Sequence, residues 1–157
     1  MSWKKKTILF SIAVLIVIQF IQPAHLTSGQ VLPADITNTL YVPDNIKVIF
    51  TTACNDCHSN HTRYPWYVST QPMAWIMENH IKTGKENLNF SEFGNYSKRK
   101  QANKLRSIGI SMEDGSMPLY GYTIMHKAAR LSMEEKRMII NWASHAKDSL
   151  SKNEYGK

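Results

Sequence analysis

The sequence predicts one small all-α domain preceded by an N-terminal membrane helix. Three observations carry that prediction. Apolar residues recur with helical spacing in several segments between residues 44 and 147. No strand-like alternation of useful length, internal repeat or low-complexity tract interrupts them. Ahead of them, Lys4, Lys5 and Lys6 precede an apolar run from Thr7 to Ile21, broken only by Ser11 and Gln19.

The run is 15 residues long, short of the ~20 that a spanning helix needs. Extension through Gln22, Pro23, Ala24, His25 and Leu26 supplies the missing length. No clean A-x-A cleavage pattern follows, so residues 1–26 are expected to be an uncleaved signal anchor. A secretory signal removed after export is the alternative. The three lysines resist translocation, which holds the start of the chain in the cytoplasm and places the rest across the membrane. Residues 27–43 mix Ser, Gly, Thr and Asn with two prolines and show no helical period. They read as a linker.

The domain is expected over residues 44–147, with 148–157 as a tail. Asp44 is positioned to cap a first helix, on which Ile46, Ile49, Phe50 and Ala53 form one stripe. That helix ends in Cys54-Asn55-Asp56-Cys57-His58. Residues 59–69, with Pro65 inside, read as a loop. Pro72 opens a second helix with Met73, Ile76, Met77 and His80 on one side and Gly84 as its stop. Residues 87–95 are irregular. A third helix, about 96–112, aligns Gln101, Leu105, Ile108 and Met112. Asp114-Gly115-Ser116 marks a turn, and Pro118 disfavours helix at Met117. The last helix opens on a capping box, Ser132-x-x-Glu135, and buries Met138, Ile139, Trp142, Ala143 and Ala146.

The net charge is +7, and the first 30 residues hold three lysines and no acid, so +4 remains for the rest. Such a mildly basic surface favours an acidic protein partner or anionic lipid. Nucleic acid is not expected, because the cations form no stripe with interleaved aromatics. Lys98, Arg99, Lys100, Lys104 and Arg106, the densest group, are the solvated face of the third helix.

Two cysteines are too few for a disulfide framework. A bond between them would close a very small loop and stabilise less than the ~3 kcal/mol of a 15-residue loop. Their spacing and the adjacent histidine are instead those of a c-type haem attachment site. The two thiols add to the two haem vinyl groups, and His58 meets the iron from one face. Its other ring nitrogen is expected to donate to a carbonyl, which fixes the tautomer. Competing readings are a plain disulfide, a dithiol redox pair, which calls for a βαβ pattern absent here, and zinc held by Cys54, Cys57, His58 and His61.

Met117 is the first candidate for the second axial ligand. It lies 59 residues beyond His58 in an extended segment held by a following proline, and so can reach over a haem face. It could equally fill a gap in the core, as methionines do. His80, on the apolar stripe of the second helix, is the alternative; His126 and His145 follow. A Met/His pair raises the reduction potential. Arg63, Trp66 and Tyr67 are candidates to hold the haem propionates, against the simpler role of covering the core. Trp75 and Trp142 are expected to pack.

These residues together resemble the haem-binding domain family, over about residues 44–146. The resemblance rests on Cys-Asn-Asp-Cys-His-Ser-Asn (54–60), Thr-Arg-Tyr-Pro-Trp-Tyr (62–67) and Leu-Asn-Phe-Ser-Glu-Phe (88–93). Met-Pro-Leu (117–119), His126 and Leu-Ser-x-x-Glu (131–135) with Trp142 complete it. Phe93 falls where the family favours Trp. The resemblance implies covalent haem c and an exported location. The order of parts is also similar to small mono-haem cytochromes c, which implies that the first and last helices cross near Phe50 and Trp142.

The leading expectation is thus a membrane-tethered, mono-haem, cytochrome c-like electron carrier of the bacterial inner membrane. Its haem domain would face the periplasm and exchange electrons with redox partner proteins. The alternative is a haem-based gas or redox sensor, or a small peroxidase-like enzyme, with an open distal site. A haem-free dithiol module is the outsider.

Overall fold

In the computed structural model, residues 2–23 and 32–155 are described, with side chains to residue 151. All secondary structure among them is helical. Helix α1 (Trp3–Ile18) has 16 residues, and at 1.5 Å per residue it spans roughly 24 Å, short of the ~30 Å hydrocarbon core. The expected N-terminal membrane helix is thereby corrected: no described helix is long and apolar enough to cross a membrane. Ala24, His25 and Leu26, which were to supply the missing length, lie outside the described residues.

The physical reason is at the end of α1. Gln19 and Gln22, expected to be interruptions and polar flanks, anchor the helix end to the domain. The Gln71 amide donates to Gln19 Oε1 (2.9 Å), and the Gln71 side chain donates to the Ile21 carbonyl (2.7 Å). Gln22 reaches the Ser69 carbonyl. The apolar side chains along α1 stay exposed.

Residues 32–43 are packed rather than merely connecting. Asp35 accepts from the Thr37 amide and caps the one-turn helix α2 (Ile36–Thr39). Ile36 and Val42 are 1% and 2% exposed. One turn is too short to display a period, so composition alone suggested a linker. The first linker residues, 27–31, lie outside the described residues, as do Gly156 and Lys157 of the tail.

The domain then follows the sequence closely. Helix α3 (Asp44–Ala53) buries Ile46, Ile49, Phe50 and Ala53; Pro43 occupies the cap position and Asp44 the first turn. Helix α4 (Asn55–His58) holds the cysteine motif. Helix α5 (Met73–Asn87) runs past Gly84, which does not stop it. Helix α6 (Lys98–Glu113) is capped by Ser97. A short helix, α7 (Tyr120–Met125), was not legible in the sequence. Helix α8 (Met133–Tyr155) carries the expected capping box: Glu135 accepts from the Ser132 amide (2.7 Å), and its own amide donates back to Ser132 Oγ. Short 3-10 turns lie at Trp66–Ser69, Phe90–Asn95 and Lys127–Ala129.

Helix α6 packs against α8, and α3 also contacts α8. Phe50 sits edge-on to Trp142, 5.3 Å between centroids, and stacks on Phe90 at 4.8 Å. The Trp142 indole donates to the Tyr41 carbonyl. Trp75, expected to pack, is 40% exposed. A second, smaller core gathers Ala53, Tyr67, Val68, Met77, Ile81, Tyr122 and Ala129. Cys54 touches both cores.

Candidate functional site

Between the two cores lies a cavity of about 610 Å³, within the range of cofactor pockets. Cys54, Cys57 and His58 all line it. The Cys54 carbonyl accepts from the amides of both Cys57 and His58, so one tight turn delivers the two sulfurs and the imidazole to the same cavity. The structure holds the cysteines as free thiols.

His58 is oriented from a distance of thirty residues. Its Nδ1 lies 2.9 Å from the Leu88 carbonyl oxygen. A carbonyl can only accept, so Nδ1 carries the proton and Nε2 keeps its lone pair. Burial lowers the pKa of the ring, with the carbonyls of Leu88 and Gly84 opposing. The imidazole is therefore neutral at pH 7, as a metal ligand must be. The Leu88 carbonyl is itself placed by its neighbours: Ser91 Oγ accepts from the Asn60 amide, and the Asn89 side chain donates to Asn60.

Gly84 explains how α5 comes so close. A Cβ there would lie 2.5 Å from the Cys57 carbonyl oxygen and 3.1 Å from its carbon. The helix therefore rests on the backbone of the motif itself. The stripe Met73, Ile76, Met77 and His80 faces the cavity, while Ala74, Met77, Ile81 and Gly84 meet protein.

Behind the motif, Asp56 is buried at 4% exposure. One carboxylate oxygen accepts from the Arg63 amide and Nε, and the other from Tyr122 Oη at 2.7 Å. Thr62 Oγ1 donates to the Asp56 carbonyl. This network ties α4 to α7, and thus to the Met117 segment that leads into α7.

The cavity brings together Cys54, Cys57, His58, Tyr67, His80 and Met117. It does not include Arg63 or Trp66. The Arg63 guanidinium is committed to Asp56 and to the Thr51 carbonyl on the opposite side of the motif. Trp66 is 80% exposed. Both were expected as propionate donors; neither lines this cavity. The polar edge comes instead from Asn79, Thr83 and Asn87 on α5 and from Lys104, Ser107 and Ser111 on α6. Lys104, expected on a purely solvated face, is the one fixed charge among the described lining residues.

The competing chemistries fit poorly. Burial pushes the Cys54 thiol up to about 12 and the Cys57 thiol up to about 11, each aided by a neighbouring negative group. A reactive dithiol needs the opposite shift. Among the described residues, no three His, Cys, Asp or Glu side chains gather as a metal-holding group, so the four-ligand zinc set is not assembled.

The model of a family described as the haem-binding domain matches residues 13–145 of this chain. The chain belongs to the haem-binding domain family. The match begins inside α1, some thirty residues ahead of the segment in which the sequence motifs lie, so the haem-binding domain includes the α1 end, α2 and the residues between. No curated protein and no solved structure matches the chain. The residues of the cavity fit the cofactor that the family binds: a largely apolar slot, two thiols on one turn, a neutral imidazole aimed inward and a polar edge.

Proposed function

We propose that this haem-binding protein carries haem c through thioether bonds to Cys54 and Cys57 and serves as a one-electron carrier between redox partner proteins. The observation that supports this most is the convergence of both sulfurs, the His58 lone pair and Met117 on one apolar cavity. When bound, the haem supplies an iron that alternates between two oxidation states. The chain's own residues do the rest. His58, held by Leu88, would ligate the iron, and Met117 is the first choice for a second ligand, with His80 the alternative. Lys104 and the α6 serines offer the propionates a charge and hydroxyls where the cavity opens. The apolar walls would keep water from the iron, which would favour the less charged ferrous form. With His58 and a second side chain both bound to the iron, no site would stay open for a substrate. Thioether attachment places the protein, on this reading, in an exported compartment such as the periplasm.

The test is an absorption spectrum of the protein made with a cytochrome c maturation system. Covalent haem that survives denaturation, with sharp reduced bands unmoved by CO, is the expected result. Met117→Ala should lose the long-wavelength methionine–iron band and gain CO binding. If it keeps the band and His80→Ala changes the spectrum, His80 is the ligand. Rapid CO binding by the unmutated protein would instead favour a sensor or a peroxidase-like enzyme.

A further inference from the structure

The haem cavity and a shallower pocket of about 380 Å³ behind the motif share a wall. Tyr67 and Tyr122 line the cavity, and His126 and Asp56 line the outer pocket. Across the wall, Tyr67 Oη lies 2.7 Å from His126 Nε2. The His126 ring lies flat on Tyr122, with 4.1 Å between centroids and 10° between planes. Tyr122 Oη in turn donates to Asp56. An imidazole thus faces the outer pocket on one side and is hydrogen-bonded to a cavity-lining phenol on the other.

We propose that Tyr67 and His126 form a redox-coupled proton site: His126 takes up a proton from the outer pocket as an electron enters the haem, and returns it on oxidation. The proposal rests on the haem c electron-carrier reading and makes that carrier proton-coupled. The balance is one electron from the redox partner and one proton from water; no covalent bond to carbon or sulfur changes. Burial and the nearby Asp56 charge raise the pKa of Tyr67, so it remains a phenol. In the tautomer that the proposal needs, Nε2–H of the neutral imidazole donates to Tyr67 Oη, which leaves the Nδ1 lone pair for the incoming proton. In the imidazolium both ring nitrogens carry protons. Uptake at Nδ1 leaves the bond from Nε2–H to Tyr67 Oη in place.

The charges around His126 decide the direction. The Asp56 carboxylate, one phenol away, favours the imidazolium, while Lys127 and the Asp56-paired Arg63 on the pocket wall oppose it. Tyr67 and Tyr122, both with pKa values raised by burial, are neutral neighbours. Ferric iron adds a positive charge on the cavity side, felt through aromatic walls of lower dielectric than water. Reduction removes that charge and raises the proton affinity of His126.

The test is the midpoint potential of the haem-loaded protein from pH 5 to pH 9, for the unmodified chain, His126→Gln and Tyr67→Phe. The unmodified potential should fall as pH rises through the histidine range. A tenfold tighter hold on the proton in the ferrous protein corresponds to about 59 mV for one electron. His126→Gln should flatten that segment, and Tyr67→Phe should displace it along the pH axis. Should His126→Gln fold poorly, NMR titration of His126 in the unmodified ferric and ferrous protein gives the same answer, with the higher pKa expected in the ferrous form. An unmodified potential flat over this range, a slope unchanged in His126→Gln, or equal His126 pKa values in the two states would overturn the proton site and leave the electron carrier standing. Absence of covalent haem, visible in the spectrum beforehand, would overturn both.

Discussion

At the scale of single residues, the site depends on contacts that exclude alternatives sharply. Gly84 is the clearest. A methyl group there meets backbone atoms of Cys57, which cannot move without displacing the motif. Gly84→Ala should therefore destabilise the protein by about 1–3 kcal/mol, as overpacking does, despite the better helix propensity of alanine. Denaturant melts measure that loss, and the yield of covalent haem should fall with it. Asp56 works differently. It is a buried carboxylate whose partners come from the loop at Arg63 and from α7 at Tyr122. Removing it would leave the Tyr122 phenol unpaired, a cost of about 1–3 kcal/mol. The exposed Arg63 side chain would be rehydrated at little cost.

At the scale of elements, the helix borders show which signals are local. Ser97 and the Ser132–Glu135 box act within four residues of themselves, and both cap where the sequence places them. Ser132→Ala removes two of the box's hydrogen bonds and should cost about 1 kcal/mol, read as a lowered denaturant midpoint with haem content unchanged. The ends of α1 and α5 follow other rules. Helix α1 ends where Gln19 and Gln22 meet Ser69 and Gln71, about fifty residues away. Helix α5 continues through Gly84 because the docking of that glycine onto Cys57 outweighs its poor propensity of about 1 kcal/mol. Neither partner is visible from within the segment concerned.

At the scale of the whole molecule, the cavity governs stability as well as function. An enclosed apolar void of its volume would cost on the order of 15 kcal/mol at ~24 cal/mol per Å³. That equals or exceeds the 5–15 kcal/mol that holds a domain together. The cavity is partly open, so the full cost does not apply, yet even a third of it is decisive. Haem bound in this cavity, as proposed, would therefore be part of the core, bridging the cluster around Phe50 and Trp142 and the cluster around Tyr67 and Tyr122. The double variant Cys54→Ala, Cys57→Ala, made without haem, should keep much of its helical far-ultraviolet signal. It should also bind a hydrophobic dye and melt without a sharp transition. A cooperative melt matching that of the loaded protein would show that the two clusters hold together unaided.

The sequence by itself determined the helical class, most helix positions, the α8 cap and the Cys54–His58 motif. Each of these is written in residues a few positions apart: a 3.6-residue period, a box of four, a motif of five. The contact of Phe50 with Trp142 was implied by the resemblance to small mono-haem cytochromes c and not by any local pattern. What only the tertiary structure decided are the relations across the chain. The Leu88 carbonyl orients His58, Gly84 admits α5, Asp56 joins α4 to α7, and α6 supplies a polar edge that Arg63 and Trp66 do not. The same holds for α1, whose apolar composition suggested a membrane span. Its length and its tether to Gln71 were settled by side chains about fifty residues away, because hydrogen bonds and packing follow distance in space, while periodicity and composition report only on neighbours in the chain.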